Sequence, residues 1–426
     1  MNHRSPVRSG PGTRALATGI LGACLLLLGV TTPAQGIPAF ARKYRVSCSL
    51  CHSPFPRLTA FGNQFAANGF EFAPGEPPRD TISTGDPLLR LQNTLPLAIR
   101  MEGYLTTLAQ KGENVVGPDL QTPWGIKLLT GGQIADGVSY YMYFFMAERG
   151  EIAGLEDAYV QFTDLGGSGV NLIAGQFQVS DPLFKRELRL EYDDYHLFRA
   201  RVGEVRSDLT YDRGLMAFFS PWEGGDAVVM LLNGQGISQA GDNGLYDTDK
   251  LKNVMVRYAH QLGRVKLGGF GYLGNEKKEG TLDRSVVWGP DLSVALGPKA
   301  ELNAQYIYRQ DTNPFYLEDC EVGDPRCDAG ASHPYEVNLD GVMTELLFFP
   351  QGAAGRWVLS LLYNYVNTDR EALSLRVGEE GYLTKYQTAA VGATYSLRRN
   401  LRLMGEMGYD TEIDRARFVF GAVGAF

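Results

Sequence analysis

Ala300-Glu301-Leu302-Asn303-Ala304-Gln305-Tyr306-Ile307-Tyr308-Arg309 is the stretch on which the fold is decided. Ala300, Leu302, Ala304, Tyr306 and Tyr308 share one face, and Glu301, Asn303, Gln305 and Arg309 share the other. Period two is the signature of a strand with one apolar and one polar side. Leu401, Leu403, Met407 and Tyr409 oppose Arg402, Glu406 and Asp410 in the same way, and Trp357, Leu359, Leu361, Tyr363 and Tyr365 make a third apolar face. A water-soluble sandwich also alternates, so the connectors between strands carry the decision.

From Leu88 onward the chain reads as about 16 strands, an even number of the kind bacterial outer-membrane barrels use. Short turns fall at Ala135-Asp136-Gly137, Gly166 to Gly169, Glu223 to Gly225, Leu262 to Arg264, Gly297-Pro298, Gln351 to Gly355 and Arg398 to Asn400. Longer loops fall between them, including Asn233 to Thr248, Asp311 to Glu336 and Asn367 to Gly381; two connectors on that side, around Glu148 to Gly154 and Asp410 to Asp414, are brief. Short turns at one rim and long loops at the other are the plan of a transmembrane barrel. Phe418, Phe420 and the terminal Phe426 share a face, which resembles the closing strand that the outer-membrane assembly machinery recognises. The fold class expected is all-β: a transmembrane antiparallel barrel in the bacterial outer membrane, in contact with its lipid.

The amino terminus fits export. Arg4, Arg8 and Arg14 precede an apolar stretch from Ala15 to Val30 that ends at small residues around Ala34 and Gly36, the layout of a cleaved signal peptide over residues 1–36. Leu21-Gly22-Ala23-Cys24 resembles a lipoprotein cleavage box, but Leu25 to Leu28 continue it with apolar residues where a mature lipoprotein turns polar. No later apolar run reaches the roughly 20 residues of a spanning helix. The formal net charge of −8 gives no electrostatic reason to expect nucleic acid as a partner.

Residues 37–86, between signal and barrel (87–426), hold Cys48-Ser49-Leu50-Cys51-His52. That is the pattern for covalent attachment of one haem c. Thiols three positions apart add across the two vinyl groups of the porphyrin, and the adjacent imidazole of His52 becomes the proximal iron ligand. A disulfide between Cys48 and Cys51 is the competing reading. The segment is too short to bury a haem unaided, so the expectation is that it sits inside the lumen, which a barrel of this size leaves wide enough.

No Met or His occurs between His52 and Met101. The candidates for the distal iron position are Met101, His196 and His260, or none, with His260 on the apolar face of Val254, Val256 and Tyr258 and so pointed away from the lumen. His196 lies in the charged connector Asp181 to Asp212, which either folds inward against the haem segment or stays a solvated external loop. Cys320 and Cys327, in the loop after the eleventh strand, are expected to form a disulfide in an oxidising compartment.

The stretch Ile37-Pro38-Ala39-Phe40-Ala41-Arg42, then Cys48 to His52, Pro56, Leu58, Thr59, Phe61-Gly62, Phe65 and Gly69 resembles the fused monohaem cytochrome-porins of outer membranes, best known from bacteria that oxidise ferrous iron outside the cell. The resemblance covers about the first 35 mature residues, and beyond them it is architectural. It implies haem attachment at Cys48 and Cys51, iron ligation by His52 and a surrounding barrel. The function it implies is electron transfer between an extracellular donor or acceptor, with Fe(II) the first candidate, and a periplasmic cytochrome or other carrier. Acidic loop residues Glu318, Asp319, Glu321, Asp324, Glu379 and Glu380 could attract a cationic donor, though such charge in an external loop is ordinarily solvation. Two other readings stay open: a solute channel with the haem segment as plug, and a haem enzyme with an open iron position flanked by His196 and Arg199.

Overall fold

The computed structural model describes residues 39–426 apart from 74, 75, 78, 321–323, 325, 328–333 and 376–380. The signal-peptide segment, Cys24, and the loop acids Glu321, Glu379 and Glu380 lie outside the described residues.

Sixteen antiparallel strands close into one barrel. In chain order they are β1 Leu97–Gln110, β2 Val116–Ala135, β3 Val138–Glu148, β4 Gly154–Phe162, β5 Asn171–Gln178, β6 Tyr211–Phe219, β7 Gly225–Leu232 and β8 Asn253–Leu262. There follow β9 Val265–Lys278, β10 Thr281–Ala295, β11 Ala300–Asp311, β12 Val337–Phe348, β13 Trp357–Thr368, β14 Lys385–Arg398, β15 Leu401–Asp410 and β16 Arg415–Ala425. Each strand pairs with its sequence neighbours, and β16 returns to β1 with Ala425 opposite Arg100. The seam is finished by a reciprocal pair of backbone bonds between Ile99 and Phe426, at 2.7 and 2.9 Å. Closure leaves no edge strand unpaired, as a hydrocarbon environment demands.

All seven short turns lie between the strands where the alternation places them, so one rim of the barrel is short-turned and the other carries the loops. Outward positions are apolar and open to lipid: Leu359, Leu361, Val391, Met407 and Phe420 are all exposed on the barrel's outer face. Rings gather on that face near the short-turn rim, with Trp357 against Tyr395 at 4.8 Å and Trp222 against Tyr258 at 5.4 Å, where an interfacial girdle belongs. No helix among the described residues is long and apolar enough to cross a membrane.

Half of the lumen is packed with side chains. From β5 to β14 the inward positions include Phe177, Met230, Leu232, Met255, Met343, Leu362 and Val366, all buried. The segment between β5 and β6 packs onto them through Val179, Tyr195, Leu197, Phe198 and Val202. The connector therefore folds inward, and its apolar side builds a core inside half of the barrel. Each large side chain so buried contributes about 1.5–3 kcal/mol, which holds the loop against its ordering entropy.

The barrel begins at Leu97, ten residues later than residue 87. Asp86-Pro87 and Pro96 interrupt the strand pattern, and the intervening chain instead pairs Thr81–Ile82 with Leu91–Gln92. This hairpin hugs the short-turn rim, where Arg90 reaches Asp136 at 2.7 Å and Gln92 donates to the Gln133 carbonyl at 3.1 Å. Cys320 and Cys327 are joined by a disulfide in the loop after β11.

Candidate functional site

Among the described residues three short helices precede the barrel: α1 Ala39–Tyr44, α2 Cys48–Cys51 and α3 Ala60–Ala67. Ser47 caps α2 through Ser49 N–H, and Thr59 caps α3 through Gly62 N–H at 3.0 Å. The Thr59 hydroxyl also donates to the Leu50 carbonyl at 2.8 Å, tying the two helices together. Gly62 lets them approach: a Cβ there would stand 2.2 Å from the Cys51 carbonyl oxygen. The turn carrying the thiols is thus held by backbone contacts that no larger residue at 62 accommodates.

Cys48 and Cys51 are not bonded to each other. Burial pushes both thiols up from their ordinary range, and the charge of Arg399 reaches Cys48 and pulls against it. His52 Nδ1 lies 2.6 Å from the Pro56 carbonyl. A carbonyl only accepts, so Nδ1 carries the proton and Nε2 keeps its lone pair free. Burial lowers His52 below the usual histidine value, opposed by its backbone hydrogen bonds at Pro56 and Arg57. A neutral imidazole, oriented through its second nitrogen by a backbone carbonyl, is the standard preparation of a metal-binding histidine. Two unpaired thiols one turn apart and an adjacent free Nε2 fit the demands of haem c.

The segment seats in the short-turn end of the lumen. Phe40 stacks on Phe70 at 4.9 Å, and Phe70 stacks on Tyr141 of β3 at 5.7 Å. Gln161 of β4 donates to the Ala67 carbonyl at 2.7 Å. On the other side, Arg57 ion-pairs with Glu301 of β11 and, at 2.6 Å, with Glu345 of β12. Glu345 also accepts from Tyr195 of the inward loop at 2.6 Å. The Cys48–His52 segment and the loop therefore meet at one carboxylate.

The distal candidates do not converge on His52. Met101 belongs to the outward face of β1 and is 40% exposed there, which removes it from the lumen. The strand period explains why: Glu102 next to it is the buried, inward residue. His260 also faces out, stacked near Tyr258 at 6.4 Å. His196 does lie in the lumen, but its Nε2 is 3.3 Å from Asp193 and its ring meets Tyr386 at the loop end of β14. Among the described residues no hydrogen bond, ion pair or ring contact joins it to the Cys48–His52 turn.

Sequence reasoning missed the charged half of the lumen. A cavity of about 680 Å³ is lined by Arg100, Glu102, Lys127, Glu187, Arg189 and Arg402, with His196 and Tyr386 on the same wall. Glu102 is shared by Arg100 at 2.7 Å and Lys127 at 3.4 Å, and Lys127 also reaches Glu187 at 3.1 Å. Charged residues at inward positions of neighbouring strands carried the signal, but their pairing depends on barrel register, which the sequence does not print.

No protein-family model and no curated protein matches the chain. Solved structures do match in fold. The anion-selective porin from Comamonas acidovorans is 10% identical over 78% of this chain and 99% of that one, with a TM-score of 0.53. A loop L8 deletion mutant of OmpT, an outer membrane protein of Vibrio cholerae, is 12% identical over 78% of this chain and 99% of that one, TM-score 0.50. The outer membrane channel DcaP of Acinetobacter baumannii is 13% identical over 78% and 96%, TM-score 0.50. The closed barrel, its lipid-facing belt and these likenesses together give the chain the fold of an outer-membrane porin.

Proposed function

We propose that this protein resides in the outer membrane and transfers electrons between an extracellular donor, ferrous iron first among the candidates, and a periplasmic carrier, holding one covalent haem c on Cys48, Cys51 and His52. The observation that carries the reading is the paired free thiols and the lone-pair-bearing His52 Nε2, set on a turn seated in the short-turn end of a half-filled lumen. When bound, haem c supplies a one-electron couple. The chain's own contribution is placement and shielding. The Pro56 carbonyl fixes the His52 tautomer, Gly62 allows α3 to back the attachment turn, and Arg57 anchors the turn to β11 and β12. The inward loop replaces pore water with side chains.

The test begins with the full chain expressed in a host that matures c-type cytochromes. Covalent haem should survive denaturation and disappear in Cys48→Ala and Cys51→Ala. Stopped-flow mixing of the oxidised protein with Fe(II) should then reduce the wild type, and not His52→Ala. A wild-type chain that takes no covalent haem ends the proposal.

A second reading is a solute channel plugged by its own segment, favoured by the porin fold and the 680 Å³ charged cavity. It requires ion conductance in planar bilayers that is indifferent to His52→Ala. Conductance of that kind, with no electron transfer to Fe(III) or from Fe(II), would replace the first reading.

A further inference from the structure

Arg402 stands out in the lumen as a cation with no hydrogen-bonded carboxylate, although the charges of Glu102 and Glu191 reach it. It is 3% exposed, and its Nε and Nη1 are buried with no hydrogen-bond partner. Among the described residues it forms no ion pair, whereas Arg100, Arg186, Arg189 and Arg417 along the same cavity each have a carboxylate. The carboxylate nearest in the sheet is not free to serve. Arg402 lies opposite Val423 of β16, and Val423 lies opposite Glu102 of β1, so the two share a row; Glu102 is already held by Arg100 and Lys127.

Guanidinium does not lose its proton in proteins, and a buried cation left unpaired and unbonded is strongly unfavourable. The defect is one positive charge with unused donors at the wall of a cavity. A monoanion with planar acceptors answers it, and the guanidinium matches carboxylate best. A multiply charged oxyanion would meet Glu102 and Glu187 on the same wall and be repelled.

We propose that Arg402, with Arg100 beside it, is the receptor for a single carboxylate inside the lumen. Two sources supply that chemistry: a propionate of haem c and a small carboxylate from solution. The first rests on the haem reading above and has a topological argument behind it. Arg399, whose charge reaches Cys48, sits in the short turn that leads into β15, three residues before Arg402. The propionates of a porphyrin lie on the half of the ring away from the vinyl groups that would take Cys48 and Cys51.

The experiment compares the full-length wild type with Arg402→Gln and Arg402→Lys, each checked for a closed barrel by heat-modifiable gel mobility. In the haem-loaded protein, a propionate bound by Arg402 predicts that Arg402→Gln favours the ferric state about tenfold, a fall of about 59 mV for a one-electron couple, and changes the pH dependence of the potential. Arg402→Lys should restore most of it. In parallel, calorimetry with acetate, using chloride as control, is run on the haem-free Cys48→Ala/Cys51→Ala protein. Acetate binding that Arg402→Gln abolishes, with an unchanged potential in the loaded protein, assigns the site to a diffusible carboxylate. If the wild type carries no haem, the functional reading falls and the acetate arm alone decides the site. If neither a shift in potential nor Arg402-dependent acetate binding is seen, the proposal is overturned.

Discussion

At the scale of single residues, two contacts decide whether the attachment turn keeps its shape. Gly62 has an ordinary backbone, so its requirement is space: any Cβ meets the Cys51 carbonyl. Gly62→Ala must push α3 off α2, and the expected result is a folded barrel with much less covalent haem, read as the ratio of haem absorbance to protein. Arg57 is the second. Glu345 is fully buried, so Arg57→Ala strands a carboxylate whose other partners are the neutral Tyr195 and Asn303. Breaking a buried pair from one side costs about 3 kcal/mol or more, seen as a lower midpoint for thermal release of the segment, while Arg57→Ala/Glu345→Gln should recover part of the loss. Neither contact was legible beforehand. The motif named Cys48, Cys51 and His52, but the carboxylates that anchor their turn through Arg57 come from β11 and β12, hundreds of residues away.

At the scale of elements, the inward loop between β5 and β6 carries a titratable weak point. Burial, together with the charges of Glu345 and Glu406, pushes the Glu191 carboxyl up to about 8 from an ordinary 4.5. A carboxyl raised in the docked state binds a proton that the undocked loop would release, so docking is favoured at low pH. That advantage is lost as pH rises from about 4.5 through 8. Amide exchange over residues 186–202 should therefore quicken between pH 6 and pH 9 by more than the intrinsic rate change, and Glu191→Gln should flatten the response. An exchange profile that tightens at high pH would contradict the docking scheme. Sequence reading left this connector between an inward loop and a solvated one because its charges are as frequent as its apolar residues. The deciding clue was elsewhere: Val228-Val229-Met230-Leu231-Leu232 is apolar on both faces, so that strand needs an apolar neighbour inside the barrel as well as lipid outside.

At the scale of the whole molecule, the strand count, the rims and the outward belt were readable from period and loop length, because those are local properties. The contents of the lumen were not, since they depend on which inward faces meet across the barrel. The filled half makes a prediction about permeability: intact protein in a planar bilayer should conduct far less than an open porin of equal strand number. Phe198→Ala removes a fully buried ring from the loop's apolar side, at a cost of about 3–5 kcal/mol, and should raise conductance and protease sensitivity together. The same packing dictates an order of events during biogenesis. The loop leaves the secretion machinery early, yet Phe198 and its neighbours rest on Met343, Leu362 and Val366, which are delivered much later in the chain. Until β12 and β13 arrive, part of the loop's apolar surface lacks its cover. The periplasmic chaperones that escort unfolded barrels must therefore shield this loop as well as the strands, and a stalled chain truncated before β12 should be held by them longer than its strand content alone would require.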